Sequence, residues 1–216
     1  MRDERGALKR PFGLRLWLSG SWLTLLFFAA LFAPLIAPKD PLMQDLFLGR
    51  MPPFWESGAQ PGFWLGTDSL GRDVLSRILY GARLTLIVAF FAGIITCIVG
   101  ATLGLIAGYY RGWADRIISR FVDIWMAFPP VLFAILLIAV LGPGLFSIII
   151  AIIIIDWTRF ARVIRAEAMS QGAMDYVASA QVAGRTKLDT MLSEILPNVL
   201  PTIIALLTLE MGISVI

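Results

Sequence analysis

Three carboxylates stand in or beside long apolar runs of this chain: Asp123, Asp156 and Glu210. An ionised carboxylate is costly in hydrocarbon. Such a residue either pairs at a membrane–water boundary or serves a polar pathway, a proton relay or a coupling ion. Arg120 and Arg159 each lie three residues from one of them, so Asp123 and Asp156 read as interfacial ion pairs at helix spacing. Glu210 has no basic neighbour in the sequence. It reads either as a group facing a polar cavity or a partner subunit, or as a charge tolerated near the end of a span. Other chemistry has little to work with. There is no histidine, so histidine bases and histidine metal ligands are both excluded. The serines and carboxylates show no nucleophile–base pairing and no metal-ligand spacing. No G-x-x-x-x-G-K-[ST] loop occurs, nor any Gly-Lys pair; a process driven by ATP would need its nucleotide bound elsewhere. The single cysteine, Cys97, lies inside an apolar run and reads as a packed small hydrophobe.

The elements that hold these residues belong to a membrane protein. Of 216 residues, 58% are apolar, and the mean hydropathy is +0.82, which points to a polytopic all-α bundle. The net charge of +3, from 18 basic and 15 acidic residues, is too small to suggest nucleic acid as a partner. Residues 1–16 carry Arg2, Arg5, Lys9, Arg10 and Arg15 and read as a cytoplasmic N-terminus. A first span is expected over 17–37, closed by Pro34 and Pro38, and it reads as an anchor rather than a cleaved leader. An outer loop follows over 38–83, with an interfacial helix at 69–80 in which Asp73 and Arg77 form an i,i+4 pair. Leu84 to Gly108 has no charge and reads as the second span, with Gly100, Gly104 and Gly108 as a seam for close helix packing. Tyr109 to Arg120 is short and basic, hence cytoplasmic. The uncharged run Ile124–Ile155 is interrupted by Gly142-Pro143-Gly144 and divides into spans at about 121–141 and 145–164. Pro129 and Pro130 fall inside the first of these and should kink or unwind it, which makes them candidates for a pathway lining or for a purely structural bend.

The longest polar interruption in the second half, Arg162 to Pro201, reads RVIRAEAMSQGAMDYVASAQVAGRTKLDTMLSEILPNVLP. One helical pattern places Met174, Val177, Ala178 and Val182 on a face, with Gly184 as its stop. A second starts at Thr186 with Asp189 at capping-box spacing and places Leu188, Met191, Leu192, Ile195 and Leu196 on a face. Pro197 and Pro201 mark the entry to a fifth span, beginning near Asn198. Two amphipathic helices between two spans form a surface that can dock on a soluble partner; this is the stretch through which the chain would receive force.

Four ordered blocks, covering nearly the whole chain, give a resemblance. They are GTDSLGRDVLSRILYGARLTL (Gly66–Leu86), GLIAGYYRGWADRIISRFVDI (Gly104–Ile124), LGPG with DWTRFARVIRAEAM, and the loop after Tyr176 ending in ILPNVLP. The sequence resembles the C-type permease subunit of bacterial dipeptide/oligopeptide ABC importers. The resemblance implies a helical bundle of the type I importer kind, with five spans visible of an expected six. It makes Gly66, Thr67, Asp68, Gly71, Arg72 and Asp73 a family signature. It makes Tyr176, Val177, Ala178, Ser179, Ala180 and Gly184 the ATPase-coupling contact of an EAA-type loop within 165–197. Ala178 stands where that motif has Glu, and Ser179 where it has its first Ala. The implied partners are a homologous permease in a heterodimer, two ATPase subunits that carry ATP and Mg, an outer binding protein and membrane lipid. The implied location is the bacterial inner membrane, and this chain itself would bind no cofactor.

Two other classes compete. A self-contained secondary transporter or channel would need its own ion site, and Asp123, Asp156 and Glu210 are scattered candidates. A membrane enzyme would need a catalytic cluster, which the sequence lacks.

Overall fold

The computed structural model describes residues 13–214. The basic cluster Arg2, Arg5, Lys9 and Arg10, on which the cytoplasmic N-terminus rests, lies outside them. Among the described residues the regular elements are helices, apart from one isolated antiparallel bridge between Thr67 and Asp73. The chain divides into two compact units, 1–86 and 87–216.

In the first unit, α1 (Leu14–Leu31) ends at Phe32 and α2 (Ala33–Ile36) follows with Pro34 in its first turn. The expected span over 17–37 therefore breaks at Phe32, because Pro34 has no N–H to continue the ladder. The hydroxyls of α1 are satisfied internally: Ser21 donates to Leu18 O at 2.9 Å and Thr24 to Gly20 O at 2.7 Å. The loop after α2 is organised around the signature residues. The Asp68 carboxylate accepts from the Leu70 and Arg72 backbone N–H groups at 2.9 and 3.0 Å and from Arg72 Nε at 2.8 Å, and it also pairs with Arg77. Thr67 Oγ1 accepts from Met51 N at 2.8 Å and donates to Leu48 O. Gly66 and Gly71 both have φ of +73°; a Cβ on Gly71 would sit 1.7 Å from Asp45 O, and one on Gly66 2.2 Å from Met51 O. Only glycine permits both the left-handed turn and that approach.

Asp73 then starts the next helix. Its Oδ2 accepts from Ser76 N at 2.8 Å, the geometry of an N-cap, and α3 runs without interruption from Val74 to Tyr110. This corrects two expectations. Residues 69–73 are turn, and the rest of the expected interfacial helix is continuous with the second span at 84–108 in one helix, which Arg77 and Arg83 do not break. Arg77 pairs with Asp68 and not with Asp73, whose carboxylate is committed to the cap.

In the second unit α4 (Gly112–Met126) and α5 (Pro130–Leu141) are bent by 86° across a break at Ala127–Pro129. The proline pair thus ends one helix and starts another, and no straight span covers 121–141. Then α6 (Leu145–Gln171) is continuous, followed by α7 (Asp175–Val182), α8 (Lys187–Thr190), a π turn at Met191–Ile195 and α9 (Leu196–Ile213). The second amphipathic helix and the fifth span are accordingly one helical run. The π turn sits just before Pro197, whose missing N–H leaves the Ser193 carbonyl without its i+4 donor; one residue on, Asn198 Nδ2 donates to Glu194 O at 2.6 Å. By length and composition, α3 and the run Lys187–Ile213 can each cross a membrane, and α4 with α5 make a third candidate if counted together. Five separate spans are not recovered by that criterion. Within α6 the uncharged part ends at Ile155, and Asp156, Arg159, Arg162 and Arg165 follow within the expected span or at its end.

The glycine seam locks α3 onto α6. A Cβ on Gly100 would lie 2.4 Å from Trp157 O, one on Gly104 2.7 Å from Ala161 O, and one on Gly108 2.4 Å from Arg165 O. Around it pack Cys97, Ala101 and Leu105 of α3, Phe160, Ile164 and Ala168 of α6, and Ile195, Val199 and Ile203 further on. Cys97 is buried as a small hydrophobe.

Two predictions follow from this packing. Gly104→Val should destabilise the detergent-purified chain by about 1–3 kcal/mol, since the branched side chain meets α6 backbone rather than a yielding side chain. Gly212→Ala, inside α9 with nothing within 4 Å of its added Cβ, should not lower the melting temperature and should raise it slightly. For Asp68, desolvation pushes the carboxyl up, but the Arg72 and Leu70 N–H groups and the Arg72 guanidinium outweigh it and bring its pKa down to about 2. A depressed folded pKa stabilises the loop above the unfolded value of about 3.9. That contribution should fade as pH falls from about 4 to about 2. Asp68→Asn should remove this pH dependence of loop protection, read by hydrogen exchange over 46–73.

Candidate functional site

Helix α7 and the turn after it carry the residues that the sequence singles out for contact with a partner. Helix α6 stops at Gln171, and Gly172 N donates to Ala168 O at 2.9 Å. Met174 is extended, and α7 begins at Asp175. The C-terminus of α7 is a Schellman turn: Arg185 N donates to Ala180 O at 3.2 Å, Gly184 N to Gln181 O at 3.0 Å, and Gly184 has φ of +85°. Thr186 then caps α8, its Oγ1 accepting from Asp189 N at 3.2 Å. Asp189 does not return the capping-box bond; its carboxylate lies 3.8 Å from Arg185 Nε. Arg185 also donates to Ser193 Oγ and Glu194 Oε1, both at 2.7 Å, and so ties the turn to the π segment.

The buried face of α7 is narrower than the apolar pattern suggests. Val177 is 1% exposed and packs with Ile164, Ala168 and Ile195, while Ala180 is also buried. Met174, Ala178 and Val182 are exposed, Val182 at 89%. In the next helix Met191 and Ile195 are buried, but Leu188 and Leu192 are exposed. Met174, Val182, Leu188 and Leu192 thus form an apolar outer face that the chain itself does not cover. The implied contact residues therefore separate into two sets. Val177 and Ala180 anchor the helix, and Ala178 and Ser179 are presented outward, Ser179 Oγ bonding back to Asp175 O at 2.9 Å. Tyr176 joins the anchor: its hydroxyl donates to Gln171 Oε1 at 2.8 Å, and Gln171 in turn donates to Glu167 at 2.9 Å. Burial pushes the Tyr176 phenol up, and the negative charge of Glu194 adds to this. Gln181 reaches across to the Tyr109 hydroxyl at 3.2 Å, linking α7 to the end of α3.

The three carboxylates of the apolar runs lie elsewhere, and of them only Glu210 is buried. Asp156 pairs with Arg159 at 3.4 Å as its spacing implies, but Asp123 pairs with Arg162 at 2.9 Å rather than with Arg120. Helices α4 and α6 pack together there through Val122, Trp157 and Ala161, and Arg120 is exposed. Glu210 is 1% exposed and bonds Arg159 at 2.8 Å, with its Oε1 lacking a partner among the described residues. This pairing, across 51 positions, carries no local sequence signal. Pro129 and Pro130 are exposed at the helix break, beside a cavity of about 140 Å³ lined by Trp125, Phe133, Asp156 and Arg159. Glu210 is not among its lining residues but bonds Arg159, which lines it together with Pro130. The signature residues Gly66 to Asp73 are committed to holding the first unit's loop and the start of α3. Among the described residues no group of three or more metal-ligating side chains occurs.

Comparison with known proteins fits this architecture. The family described as binding-protein-dependent transport system inner membrane component matches residues 100–216, which include the glycine seam, α7 and α9. The chain is 42% identical over 185 residues to the dipeptide transport system permease protein DppC of Haemophilus influenzae, covering 86% of this chain and 62% of that protein. It is 40% identical over 195 residues to the di/tripeptide transport system permease protein DppC of Pseudomonas aeruginosa, covering 90% and 64%. It is 39% identical over 159 residues to the glutathione transport system permease protein GsiD of Pectobacterium atrosepticum, covering 74% and 53%. The chain thus spans less than two thirds of the length of these relatives, all of them transport permeases by name. A helical membrane fold, close α3–α6 packing and a capped exposed helix between two membrane-apolar runs are what the matched region contains, and the chain belongs to the family of binding-protein-dependent transport system inner membrane components.

Proposed function

We propose that this chain is a permease subunit of an ATP-driven importer for peptides or similarly sized polar solutes, working with a second, homologous permease. The observation that carries the proposal is α7. It is a short helix fixed on one side by Val177, Ala180 and Tyr176 and bare on the other at Ala178 and Ser179. Its anchors reach the same core that holds α6 and α9, so a displacement of α7 is passed to helices of the bundle rather than absorbed in a loose loop. A pair of ATPase subunits, binding ATP and Mg, would press on this face from the cytoplasm, and a binding protein would deliver solute on the other side. The N-terminus would then be cytoplasmic. Alternating access would follow from rocking of the two permeases about their shared boundary. The relatives' names include dipeptide and glutathione transport, which supports a small peptide-like cargo.

The motif's Glu is Ala178 here. Because Ala178 is exposed, shape and the fixed Gly184 turn would make the contact instead of a charge. Coexpression with a partner permease and the ATPases tests the proposal. A complex that survives purification, and is lost when 175–182 is replaced by an equally long Gly/Ser segment, supports it; a complex indifferent to that replacement contradicts it. Ala178→Glu should leave the melting temperature unchanged, since the side chain enters solvent, and should slow dissociation of the ATPase at low salt.

A further inference from the structure

We infer that the cavity beside the α4–α5 break is a binding site for a primary ammonium, and that it receives the amino terminus of a peptide-like solute. The ammonium chemistry is read from the cavity itself; the identity of the solute rests on the importer reading above.

The charge balance comes first. Asp156 and Arg159 of α6 and Glu210 of α9 form one cluster of two carboxylates and one guanidinium. Among the described residues no other lysine or arginine lies within 4.0 Å of either carboxylate, so one negative charge is in excess. Glu210 is 1% exposed, and its Oε1 has no donor among the described residues. The cluster also lies well inside the bundle. At 1.5 Å per residue, Asp156 is about 16 Å from the start of α6 at Leu145 and about 22 Å from its end at Gln171. Gly100 of α3 packs on the backbone of Trp157, the residue after Asp156, and Gly100 falls within the uncharged run 84–108. An excess charge among apolar helices calls for a counter-charge.

The two carboxylates are not equivalent. Glu210 bonds Arg159 at 2.8 Å, whereas Asp156 reaches the same guanidinium only at 3.4 Å. Glu210, which does not line the cavity, answers the arginine. Asp156, which does line it, keeps acceptor capacity for a ligand. Much of the remaining wall is aromatic: Trp125, Phe128 and Phe133. Trp125 Nε1 donates to Ile154 O, which fixes the indole on α6. Phe133 stands edge-on to it, with centroids 5.4 Å apart and planes at 89°, and stacks with Phe128 at 6.0 Å. The proline pair between α4 and α5 lets the chain turn so that residues from both helices share this wall. An ammonium is drawn to a carboxylate by charge and to aromatic faces by their quadrupoles. A hard metal ion asks instead for about six oxygen ligands. The only side-chain oxygens in the lining are those of Asp156 and Thr158, and the Thr158 hydroxyl already donates to Ile155 O. The volume, about 140 Å³, is close to the ~150 Å³ that holds a benzene. That is room for an ammonium with its first carbons and not for a whole dipeptide.

The test uses this chain assembled with a partner permease and the ATPases in lipid nanodiscs, which leave both faces open to solutes. A cysteine is placed on the cavity wall as M126C on a C97A background. Its reaction with a methanethiosulfonate reagent is followed by the mass of this chain. Alanyl-alanine and ethylammonium should each slow the labelling with a saturable dependence. N-propionyl-alanine, the same skeleton without the ammonium, and sodium chloride at equal concentration should not. D156N should raise the half-protecting concentration of alanyl-alanine roughly 10-fold or more. F133L, which keeps an apolar side chain there and guards against a D156N chain that fails to fold, should raise it roughly 3-fold. Equal protection by N-propionyl-alanine, protection by sodium, or no protection by either ammonium overturns the inference. Stimulation of ATP hydrolysis by loaded binding protein, measured on nanodiscs of the unaltered chain, reads the importer assignment separately. Stimulation without protection overturns the ammonium site and leaves the importer standing. Protection without stimulation upholds the ammonium site and removes the peptide as its solute.

Discussion

Close contact between α3 and α6 is the constraint on which the second unit depends. At Gly100, Gly104 and Gly108 the backbone of α6 occupies the space where side chains would begin. In lipid no general hydrophobic force drives helices together, so dense van der Waals contact along such a seam must do it. That contact fixes where Phe160, Ile164 and Ala168 stand, and those residues form the floor on which Val177 of α7 and Ile195 and Val199 beyond it are packed. Helix α7 is therefore positioned by a seam that begins on a different helix, well before it in the chain.

Several parts of this were legible in the sequence because their physics is local. A glycine every four residues in an uncharged run has few meanings. Gly184 followed by Thr186 is a stop and a start, and both the Schellman turn and the Thr186 cap are present. Pro129-Pro130 marks a break, and the chain turns there through 86°. The signature block drew attention to residues that each hold a defined bond, although their role is to build the loop and cap α3.

What was not legible is what depends on distance or on choice of face. Nothing near Glu210 announces Arg159 as its partner, and Asp123 pairs with Arg162 of α6 although Arg120 stands at pairing distance in sequence on its own helix. Asp73 and Arg77 are correctly spaced for a pair, but a cap competes for the carboxylate and Asp68 competes for the guanidinium. The apolar patterns of α7 and of the helix after it put their residues on one face each; Val177, Met191 and Ile195 of these are buried, while Met174, Ala178, Val182, Leu188 and Leu192 are exposed. Hydropathy is a poor guide to facing when both the core and the surroundings are apolar, and charges such as Arg77 and Arg83 do not end a helix whose backbone bonds are intact.

The account stands on α7 passing force between a soluble ATPase and a rigid helical core. The most direct test is the rate of ATP hydrolysis by this chain assembled with a partner permease and the ATPases in vesicles, with and without solute-loaded binding protein. Stimulation by the loaded binding protein is the predicted result, since docking on one side would then be felt at the nucleotide sites on the other. A stable assembly whose hydrolysis rate is the same in both conditions would contradict it.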